Sequence, residues 1–227
     1  MFSNEFYRQF HRDVHSQNGE DGIIEELLRR LNISNGWVCE FGAWDGIHLS
    51  NTFHLVEQGF RAVYIEGHAD RYKDLLKTCA RTEGIIPVQA YVDHCEGSTN
   101  TLDKLLGQTP IPTDFDVLSI DIDSYDYQVW ESLKLYRPKM VIIEINSSVP
   151  PNQKDYIHEP GRCDGSGFRS TYELGLRKGY TFVLHTGNMF FIRNDLATEI
   201  NFEFGHPFNN FRTNWMSEDA VKKFNRS

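Results

Sequence analysis

The segment that most constrains the fold is residues 38–46, where a short apolar strand ends in an acidic side chain and a turn with two glycines. Residues 37–41 predict the strand, and Glu40 lies near its carboxyl end. Gly42 and Gly46 let the backbone turn tightly and leave room for a ligand beside it. Ligands of open α/β sheets bind at the carboxyl ends of the strands. The segment therefore predicts an α/β sheet with a ligand site at this strand end.

A second apolar strand, residues 61–66, ends in Glu66. An acid at this position is placed to accept hydrogen bonds from both hydroxyls of a ribose. Glu40 suits a cationic or hydroxyl-bearing ligand better than a pyrophosphate, and Trp44 interrupts the glycine pattern of dinucleotide-binding turns. The two strand ends favour S-adenosylmethionine (SAM), which has an ammonium, a sulfonium and a ribose but no phosphate. Two alternatives are a site for a dinucleotide and an α/β domain in which both acids are only solvated.

The bulk properties exclude several classes of protein. A chain of 227 residues suits a single α/β domain over residues 1–227. The net charge of −9, with no run of Lys or Arg longer than two, argues against a nucleic-acid partner. No stretch approaches the roughly 18 apolar residues of a membrane span. We find no signal-peptide core and no C-x-x-C pair among the four cysteines, so we expect a cytoplasmic protein.

Strands alternate with helices until the last third of the chain, which predicts right-handed βαβ units and a parallel sheet. Thr186-Gly187 joins two final strands and predicts a hairpin. We expect residues 1–18 to cap the domain and residues 147–167 to form a long substrate loop. The predicted strands are 37–41, 61–66, 85–91, 116–122, 139–145, 180–185 and 188–193. The predicted helices are 19–31, 50–58, 69–80, 99–107, 125–134 and 168–178.

The chain resembles the FkbM-like class of SAM-dependent methyltransferases. The features that carry the resemblance are residues 16–21, 40–46 and 50–52, Glu66, the strand end at 119–123, and Glu144. The resemblance implies a Rossmann-like class I fold: a mostly parallel seven-stranded sheet with a C-terminal antiparallel hairpin. It also implies SAM as the cofactor. The fourth strand departs from the class, because it ends Asp-Ile-Asp-Ser-Tyr-Asp where many relatives have Asp-x-Glu-Gly.

The resemblance implies O-methylation of a sugar, a glycan or another hydroxylated small molecule. A narrower similarity, to methyltransferase modules of large-virus glycan-synthesis proteins, implies a deoxyhexose acceptor such as rhamnose and a place in a larger multidomain protein. An RNA or nucleoside methyltransferase and a non-catalytic SAM-binding module are the alternatives. The expected cofactor-binding residues are Gln17, Glu40, Gly42, Asp45, Gly46, Ser50, Asn51, Glu66, Gly67, His68, Asp93 and Asp121.

Four oxygen-bearing side chains follow strands four and five, and we expect them at one rim of the sheet. They are Asp121, Asp123, Glu144 and Asn146. Hard oxygen ligands suit Mg²⁺ or Mn²⁺, so Asp121, Glu144 and Asn146 are candidate metal ligands. In the alternative without a metal, Asp121 holds the SAM ammonium.

A sugar hydroxyl is a poor acid, so the transfer requires a base or a Lewis-acid metal. His158, in the substrate loop, is the first candidate for the general base. Asp121 and Asp123 are the other expected catalytic residues. A surface position for His158 is the alternative.

Overall fold

A computed structural model describes residues 3–162, 164–200 and 207–210. Its seven strands form one sheet in the order β3-β2-β1-β4-β5-β7-β6. The strands are β1 (Trp37–Phe41), β2 (Arg61–Glu66), β3 (Ile85–Gln89), β4 (Val117–Ile120), β5 (Met140–Glu144), β6 (Tyr180–His185) and β7 (Asn188–Arg193). The helices are α1 (Ser3–Phe10), α2 (Glu20–Arg30), α3 (Phe53–Glu57), α4 (Ala69–Cys79), α5 (Leu102–Leu106), α6 (Asp126–Ser132) and α7 (Phe168–Arg177), followed by a 3-10 turn at Pro207–Asn210.

Strand β1 is the point at which the chain changes direction across the sheet. It pairs in parallel with β2 on one side and with β4 on the other. The chain therefore builds outward through β2 and β3 and then returns to β4 on the opposite side. Such a switch opens a crevice at the carboxyl ends of the two diverging strands.

The C-terminal hairpin confirms the predicted sheet. Strand β7 pairs antiparallel with both β5 and β6, and Glu144 lies opposite Asn188 in the register. Successive strand residues point to opposite faces, so each face buries its own apolar cluster. Cys39 and Phe41 belong to one cluster, and Val38 belongs to the other.

Several predicted elements are shorter than expected. The strand predicted at 116–122 ends at Ile120, because the Asp126 carboxylate accepts hydrogen bonds from the backbone N–H groups of Ile122 and Ser124. These bonds tie the chain to α6 instead of to a neighbouring strand. The helix predicted at 50–58 begins only at Phe53. The helix predicted at 99–107 is reduced to α5, with Thr101 at its amino end.

The predicted N-terminal cap contains α1 and a folded loop. The Asp21 carboxylate organises that loop by accepting hydrogen bonds from the backbone N–H groups of Val14, His15 and Ser16, each at 2.8 Å. Residues 1 and 2 of the cap, and Cys163 in the substrate loop, lie outside the described residues. In the described part of the chain, no helix is long and apolar enough to cross a membrane.

Candidate active site

A cavity of about 760 Å³ opens at the carboxyl ends of β1, β2 and β4. This is the crevice that the change of direction at β1 creates. Eight of the twelve predicted cofactor residues line it. They are Gln17, Glu40, Gly42, Asn51, Glu66, Gly67, His68 and Asp121.

Glu66 is buried at the end of β2 and faces this cavity. One carboxylate oxygen accepts the backbone N–H of Trp44 at 2.9 Å, and the other accepts that of His68 at 2.6 Å. Each oxygen of a carboxylate keeps a second lone pair after one such bond. Glu66 is therefore held in a fixed orientation and can still accept two hydroxyl hydrogen bonds, as the ribose prediction requires.

Gly42 brings two backbones together at the floor of the crevice. Its φ of 75° lies in the left-handed region, and a Cβ there would overlap the carbonyl oxygen of Asp121. Both features favour glycine. The close approach places the end of β1 against the end of β4, so residues from both strands line the same cavity.

Glu40 takes part in a buried hydroxyl network. One carboxylate oxygen accepts hydrogen bonds from the Thr52 hydroxyl at 2.7 Å and the Ser50 hydroxyl at 3.0 Å. Burial raises the pKa of Glu40 to about 7, although these hydrogen bonds oppose the increase. A cation in the cavity would favour the charged form of Glu40, so the residue fits an ammonium-bearing ligand.

Four predicted cofactor residues do not line the cavity but shape the loops around it. Asp45 accepts hydrogen bonds from the backbone of Ile47 and His48, and Gly46 completes the same turn with a φ of 79°. Ser50 donates to Glu40, and Asp93 accepts from the backbone of His94 and Cys95. These four residues therefore support the loops around the cavity, and their predicted contact with the cofactor stays a prediction.

Sequence reasoning missed an aromatic and cationic group at the mouth of the cavity. The Arg71 guanidinium lies 4.5 Å from the ring centre of Trp44, and Tyr91 packs against the backbone of Gly67. All of these residues line the cavity. The spacing of His68 and Arg71 across the first turn of α4 was an available signal for Arg71. No comparable pattern marks Tyr91.

The predicted acidic rim is present at one end of the cavity. Ligand oxygens of Asp121, Asp123 and Glu144 all lie within 4.8 Å of one another. Burial, followed by repulsion between the carboxylates, raises the pKa of both Asp121 and Glu144. The two carboxyl groups interact directly, so a proton held between them is favoured over two charged groups. A divalent cation or an acceptor proton would relieve this repulsion.

Asn146, the third predicted metal ligand, is directed into the substrate loop. Its amide oxygen accepts hydrogen bonds from the backbone N–H and hydroxyl of Ser148, and its amide nitrogen donates to Asp164. The strand alternation that should bring it beside Glu144 ends with β5 at Glu144. Asp123, with a φ of 59°, takes its place in the carboxylate cluster.

His158 lies behind the cavity wall and is buried. Its Nδ1 is 2.5 Å from the carbonyl oxygen of Asp164, and its ring packs edge-on against Tyr125 at 4.4 Å. Tyr125 lines the cavity and His158 does not. The position disagrees with the prediction that His158 is the general base, because Tyr125 stands between it and the cavity. His158 instead holds the substrate loop against a wall of the site.

The fold is similar to those of solved methyltransferase structures. A protein from Staphylococcus aureus, provisionally assigned as a caffeoyl-CoA O-methyltransferase, is similar over 84% of this chain and 90% of its own, with 13% identity and a TM-score of 0.51. A SAM-dependent methyltransferase from Aquifex aeolicus aligns over 85% of this chain and 98% of its own, with 10% identity and a TM-score of 0.45. The fold is that of class I SAM-dependent methyltransferases.

Residues 48–159, just under half of the chain, match the methyltransferase FkbM domain, which is the family that the sequence resembles. Among curated proteins, none matches the chain.

Proposed function

We propose that this methyltransferase transfers the methyl group of SAM to a hydroxyl oxygen of a sugar or glycan. The observation that carries the proposal is the carboxylate cluster of Asp121, Asp123 and Glu144 at one end of the cavity that Glu66 also lines. A hydroxyl must lose its proton when it is methylated, and clustered carboxylates are suited to accept it. The net charge of −9 favours a small neutral acceptor over RNA.

The cavity residues divide into a cofactor part and an acceptor part. Glu66 would accept the ribose hydroxyls, and Gly42 leaves room beside the backbone. Glu40 would face the ammonium, whose charge its buried carboxylate can balance. When bound, SAM supplies a methyl group on a positively charged sulfur, so this chain contributes orientation and proton transfer.

Asp121 is our candidate for the proton acceptor, because it belongs to the carboxylate cluster and lines the cavity where its backbone lies against Gly42. With SAM bound, the hydroxyl oxygen would take the methyl group from the sulfur, S-adenosylhomocysteine would leave, and the Asp121 carboxylate would accept the hydroxyl proton. The same oxygens fit a Mg²⁺ or Mn²⁺ ion, held by Asp121 and Glu144 with Asp123 or a reoriented Asn146. Such an ion would lower the pKa of the hydroxyl.

Transfer of isotopically labelled methyl from SAM to a panel of sugars and glycans tests the function, with mass spectrometry of the products. We expect label on a sugar oxygen and a loss of at least about 10²-fold in rate for Asp121→Asn. Asp74→Asn, which changes an exposed carboxylate paired with Lys77, is the control and should keep full activity. Label on RNA or on nitrogen, or no transfer to any hydroxyl, contradicts the proposal.

Chelation distinguishes the two roles of the carboxylates. Loss of activity in EDTA, restored by Mg²⁺ or Mn²⁺ alone, assigns a metal to the rim. Full activity in EDTA leaves Asp121 as the base.

A further inference from the structure

A second, smaller cavity adjoins the acidic rim. It has a volume of about 150 Å³ and shares Gln17, Asp121 and Glu144 with the large cavity. Its opposite wall is formed by Asn18 and by Asn188, the first residue of β7. The Asp121 and Glu144 carboxylates therefore lie between the large cavity and the small cavity.

The far wall of the small cavity is built around the buried Glu20. One of its carboxylate oxygens accepts the backbone N–H of Asn18 at 2.7 Å. The other accepts the Thr186 hydroxyl at 2.6 Å and the Asn188 side-chain amide at 3.4 Å. Glu20 thus joins the N-terminal segment to the hairpin turn and fixes both as walls.

Asn188, which lines this wall, carries a buried amide group. The residue is 5% exposed, and its amide oxygen has no hydrogen-bond partner among the described residues. The orientation of the amide is determined, because only its nitrogen can donate to the Glu20 carboxylate. A buried polar atom without a partner costs free energy, so a hydrogen bond from a ligand to this oxygen would be favourable.

The position of Asn188 on the sheet is far from the strand end at which Glu66 would bind the ribose. Glu66 ends β2, and β1, β4 and β5 lie between β2 and β7. Neighbouring strands are about 4.8 Å apart, so Asn188 lies roughly four strand spacings from the ribose site. Asn188 is also the register partner of Glu144. The small cavity thus lies on the far side of the carboxylate cluster from the ribose site.

We propose that the small cavity binds a second hydroxyl of the acceptor, which donates a hydrogen bond to the amide oxygen of Asn188. This inference rests on the proposed sugar acceptor and narrows its class. Methylation then requires an acceptor with a second free hydroxyl that reaches this cavity while the first is methylated, and a substituent on the second hydroxyl removes the donor to Asn188.

The test compares methyl α-L-rhamnopyranoside with its singly deoxygenated analogues, in wild type and in Asn188→Ala. We expect one deoxy analogue to raise the wild-type acceptor KM by about 2- to 10-fold, the size of one hydrogen bond. Asn188→Ala should raise KM for the parent glycoside by a similar factor. In this variant, KM should be the same for the parent glycoside and for the deoxy analogue that wild type binds more weakly. Its affinity for SAM, measured by calorimetry, should not change.

Asn194→Ala is the matched control, because Asn194 follows the other end of β7 and bonds only the Thr181 hydroxyl and the backbone there. Asn188→Ser repeats the test with a small polar side chain if the alanine variant does not fold. A weaker SAM affinity in either Asn188 variant assigns the cavity to the cofactor and overturns the inference, as does an unchanged preference for the parent glycoside. If wild type binds SAM but methylates no glycoside, the proposed function itself fails.

Discussion

At the scale of single residues, the site is organised by acids that backbone N–H groups and hydroxyls hold in place. Glu66 is fixed by two backbone donors and Glu40 by two hydroxyls. Both acids are buried at strand ends, where desolvation is costly unless a ligand compensates for it. We therefore expect Glu66 to affect the free energy of cofactor binding and Glu40 to affect the free energy of unfolding.

Glu66→Ala should weaken SAM binding by about 2–3 kcal/mol, because hydrogen bonds to a charged group contribute in that range. Calorimetry with SAM measures the change. Glu96→Ala, which alters an exposed glutamate, should bind as wild type does. A folded Glu66→Ala protein with unchanged affinity would refute the ribose assignment.

Glu40→Gln should stabilise the cofactor-free protein at pH 8 but not at pH 4. The folded-state pKa of Glu40 is about 7, above its ordinary value of 4.5. Between those values the unfolded chain releases the proton and the folded chain keeps it, so wild-type stability falls as the pH rises and stays reduced above pH 7. The full effect is on the order of 3 kcal/mol.

Denaturant unfolding at the two pH values measures this effect. Glu83→Gln, at an exposed position, should show no such pH-dependent gain. An equal change in the free energy of unfolding at pH 4 and pH 8 for Glu40→Gln would contradict the raised pKa.

At the scale of elements, the substrate loop at 147–167 is tied to α6 and to the cavity wall. Gln128 donates to the backbone carbonyl of His158, and the His158 backbone donates to the Ser166 hydroxyl. Tyr125, beside the start of α6, lies between the rings of His94 and His158. The loop therefore sets the position of Tyr125, which faces the cavity.

His158→Phe should keep the SAM affinity of wild type and the shape of the pH profile of kcat, with a fall in kcat of less than about 10-fold. Phenylalanine retains the packing against Tyr125 and loses only the hydrogen bond to Asp164. Steady-state kinetics across the pH range measure this, with His11→Phe at an exposed position as the control. A loss of about 10²–10⁴-fold together with one limb of the profile would return His158 to the role of general base.

Sequence patterns predicted four strands to the residue, β1, β2, β6 and β7, because apolar runs there end at polar or glycine turns. The ends of β4 and α3 could not be predicted in this way. Asp126 closes β4 through bonds to residues four and two positions before it, which hydrophobic periodicity does not encode. Gly42 and Glu66 were found because strand ends mark them, whereas Tyr91 and Tyr125 reach the site through tertiary packing.

At the scale of the whole molecule, the reversal of strand order at β1 determines where the cofactor can bind. It brings Gly42 against the end of β4 and leaves Glu66 and the carboxylate cluster at opposite ends of one crevice. Any side chain at position 42 would separate the two strand ends. SAM binding and folding stability should therefore both depend on the close contact between Gly42 and the Asp121 backbone.

Gly42→Ala should lower the melting temperature and abolish stabilisation by SAM. Wild type should gain about 2.7 kcal/mol of stability when SAM is present at 100 times its Kd. Gly97→Ala is the matched control, because a Cβ there meets nothing within 4 Å. Thermal unfolding with and without SAM gives both quantities. A Gly42→Ala protein with the wild-type shift would show that the crevice is not the cofactor site.

The most direct test of the account is a crystal structure of the protein with S-adenosylhomocysteine, the product that SAM leaves after transfer. We expect the ribose hydroxyls on the Glu66 carboxylate and the sulfur facing Asp121 and Glu144, with the cavity of about 150 Å³ beside Asn188 free of the nucleoside. A ribose away from Glu66, or a sulfur directed away from the carboxylates, would contradict it.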